Sequence, residues 1–315
     1  MLLTAVGVFV DVAVITVAPV AIIIAQRVGI SLFAMLLAMV GGGKCGNVIS
    51  PNPNTIIAAE NFSAPLSSVM LANIAAAVVG LIVTVYIILP LMPSRKESLM
   101  SAEGEPTVAE DSSLPSFWAS IAGPVVVIVL LMLRPLAGIA IDPLIALPVG
   151  GVVTLITTRK WSRAGESISY GLEKMSVVAV LLVSTGAIAG IIKSSSLTSM
   201  LIAMFGDGES ARLLLAPLSG AVMSAATAST TAGATIASAS FAPTLLASGV
   251  SAVWGAAMIN AGATVLDHLP HGSFFHATGG AVEMSIKERL RLIPYESAVG
   301  LVLTICSVVS YLIVG

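Results

Sequence analysis

Two polar interruptions in an apolar chain hold the residue types that could bind and move a charged solute. The first, GGGKCGNVISPNPNTIIAAE over Gly41 to Glu60, offers Lys44, Ser50, Asn52, Asn54 and Thr55. The second, LSGAVMSAATASTTAGATIASAS, offers Ser224, Thr227, Ser229, Thr230, Thr231 and Thr235. Hydroxyl and amide side chains supply hydrogen bonds without a fixed charge. A helix that restarts after a break aims its free N–H groups and positive dipole end into the gap. That is chemistry suited to an anion. The SPNPNT run, with two prolines and two asparagines, cannot sit in an ordinary lipid-facing helix. For 219–240 a plainer alternative stands beside it, because Ser, Thr and Gly also let membrane helices pack closely.

The ionisable groups near these segments are few. Lys44 at membrane depth costs about 2.5–3.5 kcal/mol on insertion scales, so it needs a partner, water or a nearby interface. It either attracts an anionic substrate or snorkels from a hairpin tip to the headgroups. Asp11 and Glu60 lie within or beside apolar runs and could carry a coupling proton. Their plainer roles are a structural hydrogen bond or ion pair for Asp11 and a hairpin mouth for Glu60. Asp267, His268, His271 and His276 share DHLPHGSFFH, which holds every histidine of the chain. The spacing lacks the helical i, i+4 pair and HExxH of a zinc enzyme, so no metal is expected. Because histidine titrates near neutral pH, a proton-linked or loop-ordering role fits better than a metal site, and an uninvolved loop stays open. No phosphate-binding Gly loop and no nucleophile–base set is present, so ATP-driven transport and enzyme chemistry have no support. No cofactor is implied.

These residues must be positioned by membrane helices. Of 315 residues, 57% are hydrophobic and 10% charged, against about 25% charged in soluble domains. Apolar runs of helical length recur to the end, where a β-barrel would show short alternating strands. The net charge of −2 gives no basic surface for nucleic acid. Cys45 and Cys306 are far apart and imply no disulfide framework. Residues 1–26 lack a basic leader and contain Asp11 and Pro19, so they read as a spanning helix rather than a cleaved signal.

Along the chain, spans are expected at 2–26, 66–92, 117–133, 139–158, 176–193 and 295–314, with a partial one at 251–266. Ser31 to Val40 is too short to cross and leads into the first break. Residues 93–115 read as a polar linker, 205–210 as a turn, and 158–175 and 282–292 as interfacial helices. Lys and Arg cluster at 95–96, 159–174 and 287–291, which the positive-inside rule assigns to the cytoplasm. The fold class expected is all-α: a polytopic membrane protein with discontinuous helices and two re-entrant hairpins of inverted-repeat type. Residues 1–315 form a single transport domain, with 93–115 linking its two parts.

Several stretches resemble a known family. FVDVAVITVAPVAIIIAQRVGISLF leading into the first break, AVLLVSTGAIAGIIKSSSL, and SAATASTTAGATIAS are similar to the acid-bearing helix, the broken helix and the Ser/Thr-rich hairpin of the gluconate:proton symporter family. The resemblance implies a sugar-acid or carboxylate substrate, proton coupling, and an elevator-like or rocking movement in the inner (plasma) membrane. It puts Ser50, Asn52, Asn54 and Thr55 in one substrate-binding hairpin and Thr227, Ser229, Thr230 and Thr231 in the other. Proton-coupling candidates are Asp11, Glu60, Asp267, His268 and His271. The SPNPNT run also looks like the hairpin motifs of sodium–carboxylate transporters, and asparagines stand where the family tends to carry histidine. The coupling ion is thus H+ or Na+, and the alternatives are a sodium-coupled carboxylate symporter, a cation/proton antiporter or a non-transporting scaffold subunit. Homo-oligomers are compatible with all of these. Members of the family run longer, and the chain starts where they are already some helices in.

Overall fold

The structure, a computed structural model, describes residues 1–92, 115–137, 139, 141–169, 172, 196 and 209–315. The expected linker at 93–115, span at 176–193 and turn at 205–210 fall wholly or largely outside the described residues. The described elements are helices, with no strand among them. The chain divides into two compact units, one formed by Met1–Pro106 with Gly186–Gly315 and the other by Thr107–Thr185.

In the first unit the helices are α1 (Leu2–Ala5), α2 (Val10–Val28), α3 (Leu32–Asn47), α4 (Pro53–Asn61), α5 (Leu66–Ala72) and α6 (Ile74–Val83). A π-helical turn, Thr84–Ile88, extends α6. The second unit holds α7 (Phe117–Ala137) and α8 (Pro143–Thr157). The first unit then continues with α9 (Glu209–Thr227), α10 (Thr230–Ala247), α11 (Ala252–Gly262), α12 (Ser273–Gly280) and α13 (Ile286–Val314). Among the described residues two stretches are long and apolar enough to cross a bilayer, Leu66–Ile88 with 23 residues and Ile286–Val314 with 29. At 1.5 Å rise per residue both exceed the ~30 Å hydrocarbon thickness. The two halves of α2, Val10–Ala18 and Val20–Val28, meet at a 60° bend and make a third candidate.

Two apolar clusters hold the first unit together. One is built where α4, α5, α9, α10 and α11 meet, around Phe62, Ile236, Phe241 and Met258. The other joins α2, α3, α6 and α13 around Leu36, Val40, Val299 and Leu303. Outward, α13 presents Leu301, Ile305, Val309 and Leu312, all exposed. Those positions recur at helical spacing on the face opposite Val299 and Leu303, as a lipid-facing stripe requires.

Two expectations about element limits are corrected. The first break is narrower than Gly41 to Glu60, because α3 runs helical through GGGKCGN and only 48–52 are irregular. Glycine's helix penalty, about 1 kcal/mol per residue, is offset here by close packing: a Cβ at Gly43 would meet the Val10 side chain at 2.6 Å. From Ile286 on, the interfacial helix expected at 282–292 and the final span are one continuous element, α13. A Ser285–Glu288 capping box starts it and Pro294 does not end it. Arg289 and Leu292 on this stretch are buried rather than interfacial.

In the second unit, α7 and α8 lie side by side near the spans expected at 117–133 and 139–158. The Thr157 hydroxyl donates across to the Ala119 carbonyl at 2.7 Å. Asp142 caps α8 by accepting from the Leu144 N–H at 2.7 Å. The following turn, Trp161–Arg163, is exposed.

Candidate functional site

Three interruptions of the helices bring polar groups together inside the first unit: 48–52 between α3 and α4, 228–229 between α9 and α10, and 263–272 between α11 and α12. Each restarting helix has a local reason to begin. Asn52 caps α4 by accepting from the Thr55 N–H at 3.1 Å, with Pro53 at the first helical position. Ser229 caps α10, accepting from the Ala232 N–H at 3.3 Å. Both are standard N-terminal devices. Between α9 and α10 the chain turns through Ala228 at φ 46°, a left-handed conformation disfavoured for alanine. Gly272 abuts that turn, and a Cβ there would meet the Ala228 carbonyl oxygen at 2.5 Å. The second and third breaks are therefore in direct contact.

Lys44, on the last turns of α3, is fully buried and meets three acceptors. Its ammonium donates to Asp267 Oδ1 at 2.6 Å and to the Thr264 carbonyl at 2.6 Å, and lies 2.9 Å from His268 Nδ1. The other Asp267 oxygen accepts from the Thr230 hydroxyl of α10 at 2.6 Å. His268 Nδ1 is also 3.0 Å from Asp267 Oδ1 and 3.8 Å from Glu296 Oε2. Its Nε2 lies 3.1 Å from the Ile293 carbonyl and 3.2 Å from the Ser297 hydroxyl. Glu296 is gripped by Arg289 through two contacts of 2.7 and 3.1 Å, both side chains being buried on α13. Arg289 further donates to the Thr278 hydroxyl at 3.1 Å and stacks over Phe275 at 5.0 Å. Two acid–base pairs thus sit in the interior with a histidine between them. Paired charges of this kind are tolerated where each partner compensates the other's lost hydration.

A cluster of amides continues one helical turn away, since Asn47 follows Lys44 on α3 and Asn260 of α11 lies four residues before Thr264. Asn52 Nδ2 donates to the Asn47 carbonyl at 2.9 Å and to Ser50 Oγ at 2.6 Å, and also meets the Asn47 side-chain oxygen. Asn54 donates to Asn260 Oδ1 at 2.7 Å, and Asn260 donates to the Thr55 hydroxyl at 3.0 Å. Asn73, between α5 and α6, donates to the Ala257 carbonyl at 3.0 Å and accepts from Ser307 at 2.8 Å. All these side chains are buried.

The candidates read from the sequence therefore divide. Lys44, Thr230, Asp267 and His268 meet in the ion network, and Ser50, Asn52, Asn54 and Thr55 meet in the amide cluster. Ser229 serves as a cap. Thr227 donates to the Met223 carbonyl of its own helix at 2.8 Å, and Thr231 is half-buried one position beyond Thr230. Asp11 stands outside the network, its carboxylate accepting from the Val12 N–H at 2.9 Å. Glu60 and His271 are exposed. Sequence reading passed over Arg289, Glu296, Asn260 and Asn73. A signal existed for the first two: seven residues apart, they share one face of a helix. Asn73 and Asn260 were lone amides inside apolar runs.

Described residues that fold as helices, with bilayer-length apolar stretches and a buried network of ions and amides, have the build of a membrane-embedded permease. The chain belongs to the GntP permease family, whose description, GntP family permease, matches residues 1–314. The resemblance read from the three motifs is thereby borne out. An uncharacterized transporter of Haemophilus influenzae is 54% identical over 307 residues, covering 98% of this chain and 73% of that protein. No solved structure matches the chain.

Proposed function

We propose that the chain is a secondary active transporter moving a small organic anion, such as gluconate or a related sugar acid, together with protons across the inner membrane. In this reading the two units serve one transport domain, and α3–α4 and α9–α10 are the paired re-entrant hairpins of an inverted repeat. The starts of α4 and α10 turn positive dipole ends toward the breaks, which suits a carboxylate. Ser50, Asn52, Asn54, Thr55, Thr227, Ser229, Thr230 and Thr231 then line the anion's path. The observation that carries the reading is the Lys44–Asp267 pair at the meeting of three helix breaks, with His268 against it. A buried lysine offers charge to an anion, and a carboxylate and an imidazole offer places for a proton. Of the five proton-coupling candidates, Asp267 and His268 have this geometry. The movement is an elevator-like or rocking displacement.

The test is uptake of labelled gluconate into proteoliposomes, with a proton gradient and a sodium gradient imposed separately. Accumulation driven by the proton gradient alone is expected. Dependence on sodium instead would replace the coupling ion, and absence of uptake for gluconate and citrate under either gradient would favour the scaffold alternative. In cells, Asn52→Ala with Asn54→Ala should abolish uptake while leaving insertion intact.

A further inference from the structure

His268 Nδ1 stands between a group that can only donate and a group that can only accept. Lys44 Nζ, 2.9 Å away, carries N–H bonds and no lone pair. Asp267 Oδ1, 3.0 Å away, is a carboxylate oxygen with lone pairs alone when ionised. A bare Nδ1 can accept from Lys44 but then faces the Asp267 oxygen lone pair to lone pair. A protonated Nδ1 can donate to Asp267 but then turns an N–H bond toward an ammonium. The ring therefore satisfies one neighbour at a time. Its far side is fixed, because the Ile293 carbonyl accepts only and so requires an N–H at Nε2. Neutral His268 is the Nε2–H tautomer, with its Nδ1 lone pair pointed at the buried charges.

We propose that this exclusion couples proton to anion: the coupling proton binds at His268 Nδ1, and its arrival releases one N–H of Lys44 for the anionic substrate. This deepens the transporter reading above and rests on it. In the resting state the three ammonium hydrogens of Lys44 are taken by Asp267, the Thr264 carbonyl and His268. No donor is left for a ligand. When a proton from the medium forms the Nδ1–H bond, the Lys44-to-His268 hydrogen bond breaks and Nδ1–H donates to Asp267 Oδ1. Lys44 keeps two partners and presents its third hydrogen. The added positive charge is compensated by the incoming carboxylate. When the anion leaves, Lys44 returns to Nδ1 and the proton departs to the medium on the side of release. Among the described residues, the charged neighbours of His268 take sides in this exchange. Lys44 of α3 opposes the imidazolium. Asp267, held by Thr230 of α10, favours it, as does Glu296 of α13 from 3.8 Å. Arg289 moderates Glu296 by binding both of its oxygens.

The experiment has a part that needs no substrate. In His271→Gln/His276→Gln protein labelled with 15N-histidine, His268 is the remaining imidazole, so its resting signal is read with the buried network intact. Its resting signal should be that of the Nε2–H tautomer with an accepting Nδ1, and Lys44→Met should remove the hydrogen-bond shift at Nδ1. On acidification Nδ1 should become protonated while Nε2 keeps its N–H. A resting ring carrying its proton on Nδ1 overturns the proposal. In proteoliposomes, His268→Gln should take up labelled gluconate no faster with an imposed pH gradient than without one. Full retention of gradient stimulation also overturns it. If the parent protein moves no gluconate under any gradient, the transporter reading fails by itself, and the ring spectrum still decides whether the exclusion exists.

Discussion

Lys44 and Asp267 depend on each other more than on anything else around them. Breaking a buried pair from one side leaves an uncompensated charge and costs about 3–5 kcal/mol. Lys44→Met should therefore lower the thermal unfolding temperature of detergent-purified protein sharply. The Lys44→Met/Asp267→Asn double variant should lose less than the sum of the two single changes, because each single change strands the other charge. A strictly additive outcome would mean that the pair is not coupled. Glu296→Gln is the parallel case: it strips a charge from the two Arg289 contacts and should destabilise, with Arg289→Met/Glu296→Gln recovering part of the loss. At this scale the sequence was legible where residue type was rare in its surroundings. Lys44 and the DHLPHGSFFH cluster stood out in apolar stretches. Arg289 did not, because it shares a charged segment with Lys287 and Arg291, which are exposed. Only the fold separates one buried cation from two surface ones.

Helix breaks are where the elements do their positioning, and of the three that meet at the site the one at 228–229 holds a left-handed residue. Ala228 holds a left-handed backbone at φ 46°, which costs an L-residue roughly 1–2 kcal/mol relative to the right-handed region. Ala228→Gly should raise the unfolding temperature, with a gain of at most about 1 kcal/mol once glycine's extra unfolded freedom is subtracted. A fall in stability would show that the methyl group matters more than the dihedral. The caps are separable from this. Asn52→Ala removes the acceptor for the Thr55 N–H and the donor to Asn47 and Ser50, so it should cost more than the ~1 kcal/mol of an ordinary N-cap. The position of each break was readable from Pro, Asn and Ser/Thr content, whereas its width was not. Glycines that weaken an isolated helix are what allow α3 to be approached by its neighbours, and that compensation comes from residues distant in sequence. The same limit fused the charged segment with the last span: the capping box at Ser285 marks a start, and Pro294, which reads locally as a stop, does not act as one.

At the scale of the whole molecule, the described residues bury ions and amides beside two apolar clusters and also turn large aliphatic side chains outward, as a protein surrounded by lipid can. Ile305, exposed on the stripe of α13, should tolerate Val or Leu freely. Ile305→Arg should cost on the order of 2–3 kcal/mol at mid-bilayer and reduce the amount of protein recovered in the membrane fraction. Recovery at the parental level would move that stripe out of the lipid. The balance of the buried charges has a consequence for voltage. Among the described residues the buried charges of Lys44 and Arg289 are matched by Asp267 and Glu296, so with the neutral His268 proposed above this network carries no net charge when unloaded. A transmembrane potential does work of about 2.3 kcal/mol per elementary charge per 100 mV, and on a neutral assembly that work vanishes. The unloaded return stroke of such a carrier would be indifferent to a potassium diffusion potential, leaving the electrical character of each cycle to be written by its cargo.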